Sequence, residues 1–305
     1  MLVAAVGFGT LGVVSRFAGD AGISTVTFVA WRASLGAAIL VTAALLLLRL
    51  GRMQPLRLVS IPRLHWLQIS TVALLTVITN LALFAAFERT TIALVLIVFY
   101  TYPEMVAIAA VRVYGDRLTP TRVASLTLAS IGMLMVVLAP ALGQQGVDID
   151  GVGLALGVAA ALSQAVYALI AGRGYSSLSA GQAATTIAVL AAFGFLAIAL
   201  LSGAGNALLE PFAADGAWVW IILAATIGLA IPTAAVIAGF RRMGPTRASI
   251  MMLFEPVVGV LLAALFIAER PSPLQLVGGL LVLAGSALVH VRRMPSPGGV
   301  GATTT

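Results

Sequence analysis

Residues 100–120 read YTYPEMVAIAAVRVYGDRLTP, and residues 253–273 read LFEPVVGVLLAALFIAERPSP. The second stretch repeats the first at an offset of 153 residues, the spacing from Pro103 to Pro256. Asp116–Arg117 answers to Glu269–Arg270, and Pro120 to Pro273. Upstream, Phe87 and Arg89 fall on Phe240 and Arg242; downstream, Gly132 falls on Gly285, and no gap is needed. The fold is therefore to be read as one hydrophobic unit written twice.

The surrounding composition says what kind of unit it is. Of 305 residues, 61% are hydrophobic and 9% charged, with a mean hydropathy of +1.12. No soluble domain can hide that much apolar surface, so the chain is an integral membrane protein in contact with the lipid bilayer. Ala37 to Leu48 is apolar throughout except for Thr42, with no alternation of polar and apolar residues, so the spans are helices rather than barrel strands. There are no cysteines, which excludes disulfides and thiolate chemistry. All 17 basic residues are arginine, and the pI near 11 is better explained by topology than by a nucleic-acid partner. The first residues lack the basic n-region and cleavage site of a signal peptide and read as a retained first helix.

Gly, Pro and charge punctuation divides the chain into ten expected transmembrane helices: 1–19, 25–48, 66–87, 92–113, 121–140, 152–171, 182–202, 217–240, 247–267 and 273–291. Residues 1–150 form a first five-helix repeat and 151–293 a second, with 294–305 a Pro/Gly/Thr-rich disordered cytoplasmic tail. With the N-terminus inside, the cytoplasmic segments collect Arg49, Arg52, Arg57, Arg63, Arg112, Arg117, Arg122, Arg173, Arg241, Arg242, Arg247, Arg292 and Arg293 against the single acid Asp116. The outer segments hold Asp20, Glu88, Asp148, Asp150, Glu210, Asp215 and Glu269 against Arg89 and Arg270. The positive-inside rule thus predicts N-in and C-in. Five spans per copy is an odd number, so the second copy enters from the opposite side. The expected class is an all-α integral membrane fold of two inverted five-helix repeats, an arrangement many secondary transporters use to alternate access to a central site.

Several short motifs resemble the drug/metabolite transporter superfamily, specifically its ten-helix EamA-type members. They are Gly9-Thr10-Leu11-Gly12 with Arg16, Trp31-Arg32, Tyr100-Thr101-Tyr102-Pro103 followed by Gly115-Asp116-Arg117-Leu118, and Phe254-Glu255-Pro256-Val257 followed by Glu269-Arg270. Each is degenerate alone; together, in order and over nearly the whole chain, they are specific. The resemblance implies a small-molecule carrier, often an exporter of amino acids or related metabolites, in the cell's inner (plasma) membrane. Two positions depart from the pattern: Asp116 stands where glutamate is commoner, and Glu104 where an apolar residue is usual.

Ionisable groups inside lipid are costly unless paired or wet, which singles out Arg16, Arg32, Glu104 and Glu255. Glu255, beside a proline that frees a backbone carbonyl, is a candidate proton-coupling group or else a protonated hydrogen-bonding residue. Glu104 lies one turn after Tyr100, and the two are expected to share a helix face that receives an amino-bearing solute; alternatively Glu104 neutralises Arg16 or Arg32. Arg32 suits a substrate carboxylate, or structural pairing; Arg16 suits snorkelling to the outer surface. Asn80 in the stripe Thr76, Thr79, Asn80, and Gln164 and Tyr167 beside Ser163, complete the candidate substrate-binding set with Tyr100 and Glu104. Thr233, the repeat counterpart of Asn80, marks the same depth. Pro103 and Pro256 occupy matching positions and are candidate hinges, or static kinks. The patterns Gly153 to Gly157 and Gly278-Gly279 with Gly285 suit close helix packing within the monomer or in a homodimer.

Other classes fare worse. His65 and His290 sit at helix ends, and the chain carries no HExxH, no GxSxG and no acidic metal cluster, so no catalytic residues, metal or cofactor are expected. A channel lacks a charged pore ring, and a structural or receptor-like membrane protein leaves the inversion and the two buried glutamates without a role.

Overall fold

A computed structural model describes residues 1–56, 61–116, 118–141, 150–266 and 270–288. Arg57, Arg117, Asp148, Glu269, His290, Arg292, Arg293 and the tail 294–305 lie outside the described residues. The described residues are all-helical, without a β-strand.

The helices in chain order are α1 (Leu2–Gly9), α2 (Leu11–Asp20), α3 (Thr25–Arg49), α4 (Arg63–Phe87), α5 (Ile92–Phe99), α6 (Tyr102–Tyr114), α7 (Pro120–Ala141), α8 (Gly151–Arg173), α9 (Ala180–Leu201), α10 (Glu210–Ala213), α11 (Ala217–Ala225), α12 (Ile231–Met243), α13 (Pro245–Met252), α14 (Glu255–Phe266) and α15 (Pro273–Leu288). Among them, nine helical stretches are long and apolar enough to cross a membrane, with α1–α2, α5–α6, α11–α12 and α13–α14 each serving as one span in two pieces. The tenth expected span is a difference. Over its described residues α15 has 16 residues, about 24 Å at 1.5 Å per residue, short of a hydrocarbon core of about 30 Å.

The helix ends have local causes. Ser24 caps α3 by accepting from the Thr27 amide, Asp150 caps α8 through the Val152 amide, and Ser179 with Gln182 forms a capping box on α9. Gly115 stops α6 at φ +66°, a conformation that costs glycine nothing. The breaks inside spans are equally local. Tyr100 and Thr101 separate α5 from α6, and Leu253 and Phe254 separate α13 from α14. These pairs are repeat counterparts, and each precedes a proline by two residues, where the ring removes a donor from the helical ladder. In the eighth span the ladder instead widens into a π-turn over Thr226–Ala230, just before Pro232.

The connections fall at two ends of the bundle. At one, His65 meets Ser177 at 2.6 Å, Arg173 pairs with Asp116 at 2.5 Å, and Gln182 donates to the Gln54 carbonyl at 3.0 Å. At the other, the Ser24 amide donates to Glu210 at 2.7 Å, Trp31 Nε1 to the Leu208 carbonyl at 2.9 Å, and Arg89 lies 3.8 Å from Asp150.

Helix packing is exchanged by the 153-residue shift. α4 packs on α8, and the shifted pair, α12 and α11 against α1 and α2, also packs; α3 lies along α9, and α7 along α15. The α7–α15 seam shows the correspondence atom by atom. A Cβ on Gly132 would lie 2.5 Å from the Gly278 carbonyl oxygen, and one on Gly285, its counterpart, 2.7 Å from the carbonyl oxygen of Ser125, the counterpart of Gly278. Ser125 Oγ also donates to the Gly285 carbonyl. Gly278 and Gly285 are thus used for close packing within the chain, and Gly153 and Gly157 likewise against Thr90 and Val98.

Candidate functional site

Between the two matching halves of the chain lies a cavity of about 1250 Å³. Its walls come from α1–α9, the π-turn and α12–α15. It runs from the end carrying Gly19, Ile23, Glu88 and Thr91 inward to Tyr167, Val236 and Met252. Beyond that depth Phe240, Leu178 and Tyr175 are fully buried, so the opposite end is closed.

The closed end is held by an arginine bonded to two backbone carbonyls. Arg241 Nη1 donates to the Leu178 carbonyl at 2.5 Å and Nη2 to the Tyr175 carbonyl at 2.8 Å, while the guanidinium lies 5.0 Å from the Tyr175 ring centroid. The Tyr175 amide donates to Gln68 Oε1 at 2.7 Å. Tyr175 adopts φ +39°, rare for a residue with a bulky side chain, and its hydroxyl is buried without a hydrogen-bond partner. Burial pushes this phenol's pKa above its ordinary value, and Arg241 only partly opposes the shift. Alongside, the Arg173 guanidinium sits 4.4 Å from the Tyr114 ring centroid, and the Tyr114 hydroxyl donates to the Leu169 carbonyl at 2.9 Å.

Most of the residues singled out from sequence meet at the cavity. Asn80, Tyr100, Gln164 and Tyr167 line it, as do Thr76, Thr79, Thr233, Arg16, Arg32, Glu255 and Pro256. Asn80 Nδ2 donates to the Thr76 carbonyl at 2.8 Å, which fixes the amide against its own helix. Glu255 opens α14, immediately after the break. Glu104 is placed elsewhere. It does not line the cavity; its Oε1 accepts a hydrogen bond from Ser130 of α7, and its Oε2 is buried without a protein partner. The reason is the break. Thr101 N bonds the Val98 carbonyl, a tighter i−3 link, so the helical register that would carry Tyr100 and Glu104 on one face is interrupted between them. Pro103 is buried outside the cavity wall.

Tyr102 was missed from sequence and lines the cavity. The signal was available: Tyr102 is the repeat counterpart of Glu255, so the position that faces the cavity in one copy faces it in the other.

Comparison with known proteins places this architecture. "Uncharacterized transporter YxxF" of Bacillus subtilis (strain 168) is 26% identical over 223 residues, 69% of this chain and 65% of that protein. An "Uncharacterized transporter" of Archaeoglobus fulgidus is 32% identical over 87 residues, 27% of this chain and 32% of its own. The chain thus spans less than two thirds of the length of either relative. A protein of known crystal structure shares the fold at a TM-score of 0.73, with 18% identity over 94% of each chain. The EamA-like transporter family matches residues 1–138 and again residues 151–291, nearly the whole sequence in two copies. With its apolar helices and its duplicated layout, this multi-pass membrane protein belongs to the EamA-like transporter family.

Proposed function

We propose that the chain is a secondary carrier that moves a small metabolite, an amino acid or similar amphipathic solute, across the inner membrane, in the direction of export, by alternating access. Residues 1–150 and 151–293 act as two inverted repeats with both termini in the cytoplasm, and Pro103 and Pro256 mark the places where each copy bends. The observation that carries this reading is the cavity between the copies, reaching one end of the bundle and closed at the other by Tyr175, Leu178 and Phe240. A channel has no need of one sealed end.

Within the cavity Asn80, Tyr100, Gln164 and Tyr167 contact the solute, and Glu255 carries the coupling proton. A carboxyl in a water-reached pocket of otherwise apolar wall is suited to bind a proton in one state and release it in the other. The purified protein in proteoliposomes provides the test. Saturable amino-acid uptake stimulated by a pH gradient is expected. Glu255→Gln should abolish the stimulation while leaving solute-driven exchange; unchanged pH-gradient stimulation in that variant refutes the coupling role, and non-saturable flux refutes the carrier.

A further inference from the structure

We propose that Arg32 is the carboxylate anchor of this cavity, so that the solute it takes bears a carboxylate with an amino group directed toward Glu255; the proposal rests on the carrier reading. Arg32 is 8% exposed and sits two turns into α3, yet it lines the cavity. Its Nε is buried with no hydrogen-bond partner, and no carboxylate lies within ion-pair distance among the described residues. Its one close ring is Phe28, 6.0 Å away. Thr79 of α4 lines the same cavity, is 5% exposed, and also has a buried hydroxyl oxygen without a partner.

An arginine placed for structure looks different in this same fold. Arg241 spends its donors on two backbone carbonyls, and Arg173 on Asp116. A guanidinium left unpaired inside a membrane protein is expensive unless something else fills the role of counter-ion. Its planar fork matches the two oxygens of a carboxylate, and a threonine hydroxyl supplies a further donor of the same sense. The cavity's other interior charge is opposite: Glu255 has no arginine within ion-pair distance among the described residues. A positive and a negative group in one cavity, neither neutralised by the other, suit a zwitterion better than the cationic or neutral amphiphiles that an apolar wall with a lone carboxylate would select.

The test uses the full-length protein in nanodiscs and reads thermal stabilisation by each of the twenty amino acids, then by the amide and the N-acetyl derivative of each acid that stabilises, with sodium phosphate and sodium chloride as simple-anion arms. The expected result is that one or more amino acids stabilise, and that the amide binds roughly ten- to hundredfold more weakly, the worth of a charge-assisted pair. Arg32→Gln should lower affinity for the acid by the same factor and leave the amide unchanged; Arg32→Lys, which keeps charge without the fork, should fall between. An amide bound as tightly as its acid overturns the proposal, as does an Arg32→Gln protein with wild-type affinity for the acid. Equal stabilisation by phosphate or chloride, or no stabilisation by any carboxylate, overturns it too. If Arg32→Gln fails to fold, the acid-to-amide ratio in the unaltered protein decides alone. Arg32-dependent binding with no flux in proteoliposomes would sink the carrier reading and leave the anchor standing; saturable flux indifferent to the carboxylate would do the reverse.

Discussion

Adding one methyl group at Gly132 should part α7 from α15. The alanine Cβ would lie 2.5 Å from the Gly278 carbonyl oxygen, 2.7 Å from the Val282 nitrogen and 2.8 Å from the Leu281 Cβ. Ordinary carbon–oxygen contact is about 3.3 Å, so the backbones must separate by about 0.8 Å, and no side-chain rotation can relieve a clash with backbone. Overpacking of this kind costs about 1–3 kcal/mol, against a gain of about 1 kcal/mol from replacing glycine by alanine in a helix. Gly132→Ala should therefore destabilise by up to about 2 kcal/mol, and by about 1–3 kcal/mol relative to an unhindered glycine-to-alanine change. Gly285→Ala, whose Cβ would lie 2.7 Å from the Ser125 oxygen and 2.8 Å from the Ala129 nitrogen, should cost the same. Because one separation of the two helices relieves both clashes, the double variant should cost less than the sum of the singles. Gly12→Ala, with nothing within 4 Å of the added atom, should be neutral or slightly stabilising. Thermal unfolding of the purified protein in one detergent, compared across the four variants, measures this. Equal stability of Gly132→Ala and Gly12→Ala would refute the seam as drawn.

Two further outcomes concern the closed end. Tyr175→Phe removes a buried hydroxyl that has no partner while keeping the ring under Arg241, so it should stabilise by about 1 kcal/mol; a lower melting temperature would mean that the hydroxyl is satisfied after all. Arg241→Met removes two hydrogen bonds to carbonyls and should destabilise this end by about 2 kcal/mol. Since the chain contains no cysteine, a single Thr76→Cys reporter is uniquely labelled. Arg241→Met should speed its reaction with a membrane-impermeant thiol reagent applied from the sealed end, and an unchanged rate would show that Arg241 does not hold the closure.

Span positions were legible because lipid imposes a simple code: apolar runs of fixed length, broken by arginine and proline. The expected 92–113 and 182–202 fall within two residues of Ile92–Tyr114 and Ala180–Leu201. The code weakens where its assumptions do. Glu104 was placed with Tyr100 on the premise of an unbroken helix, and the break at Tyr100–Thr101 turned it toward Ser130. Pro103 announced that break, but the angle at which a proline-disturbed helix resumes depends on tertiary contacts that spacing does not record. The state of Arg32 was equally hidden. Whether a buried arginine is paired depends on distant segments, and here Glu104 bonds Ser130 while Glu255 lines the cavity outside ion-pair distance of Arg32. The closure by Arg241 was read as one more cytoplasmic charge, because charge bias places a residue on a side without saying what it holds.

The matched breaks at Tyr100–Thr101 and Leu253–Phe254 also bear on energetics. In a carrier whose copies trade places, the two conformations use the same joints with roles reversed, so backbone strain at the joints largely cancels between them. The populations are then set by the residues the copies do not share, such as Tyr102 against Glu255 or Glu104 against Val257. A change worth about 1.4 kcal/mol at one joint biases the equilibrium about tenfold, and the same change at its counterpart biases it tenfold the other way. For a chain that alternates as proposed, duplication would hold the equilibrium near even occupancy, with the unshared side chains as its fine adjustment.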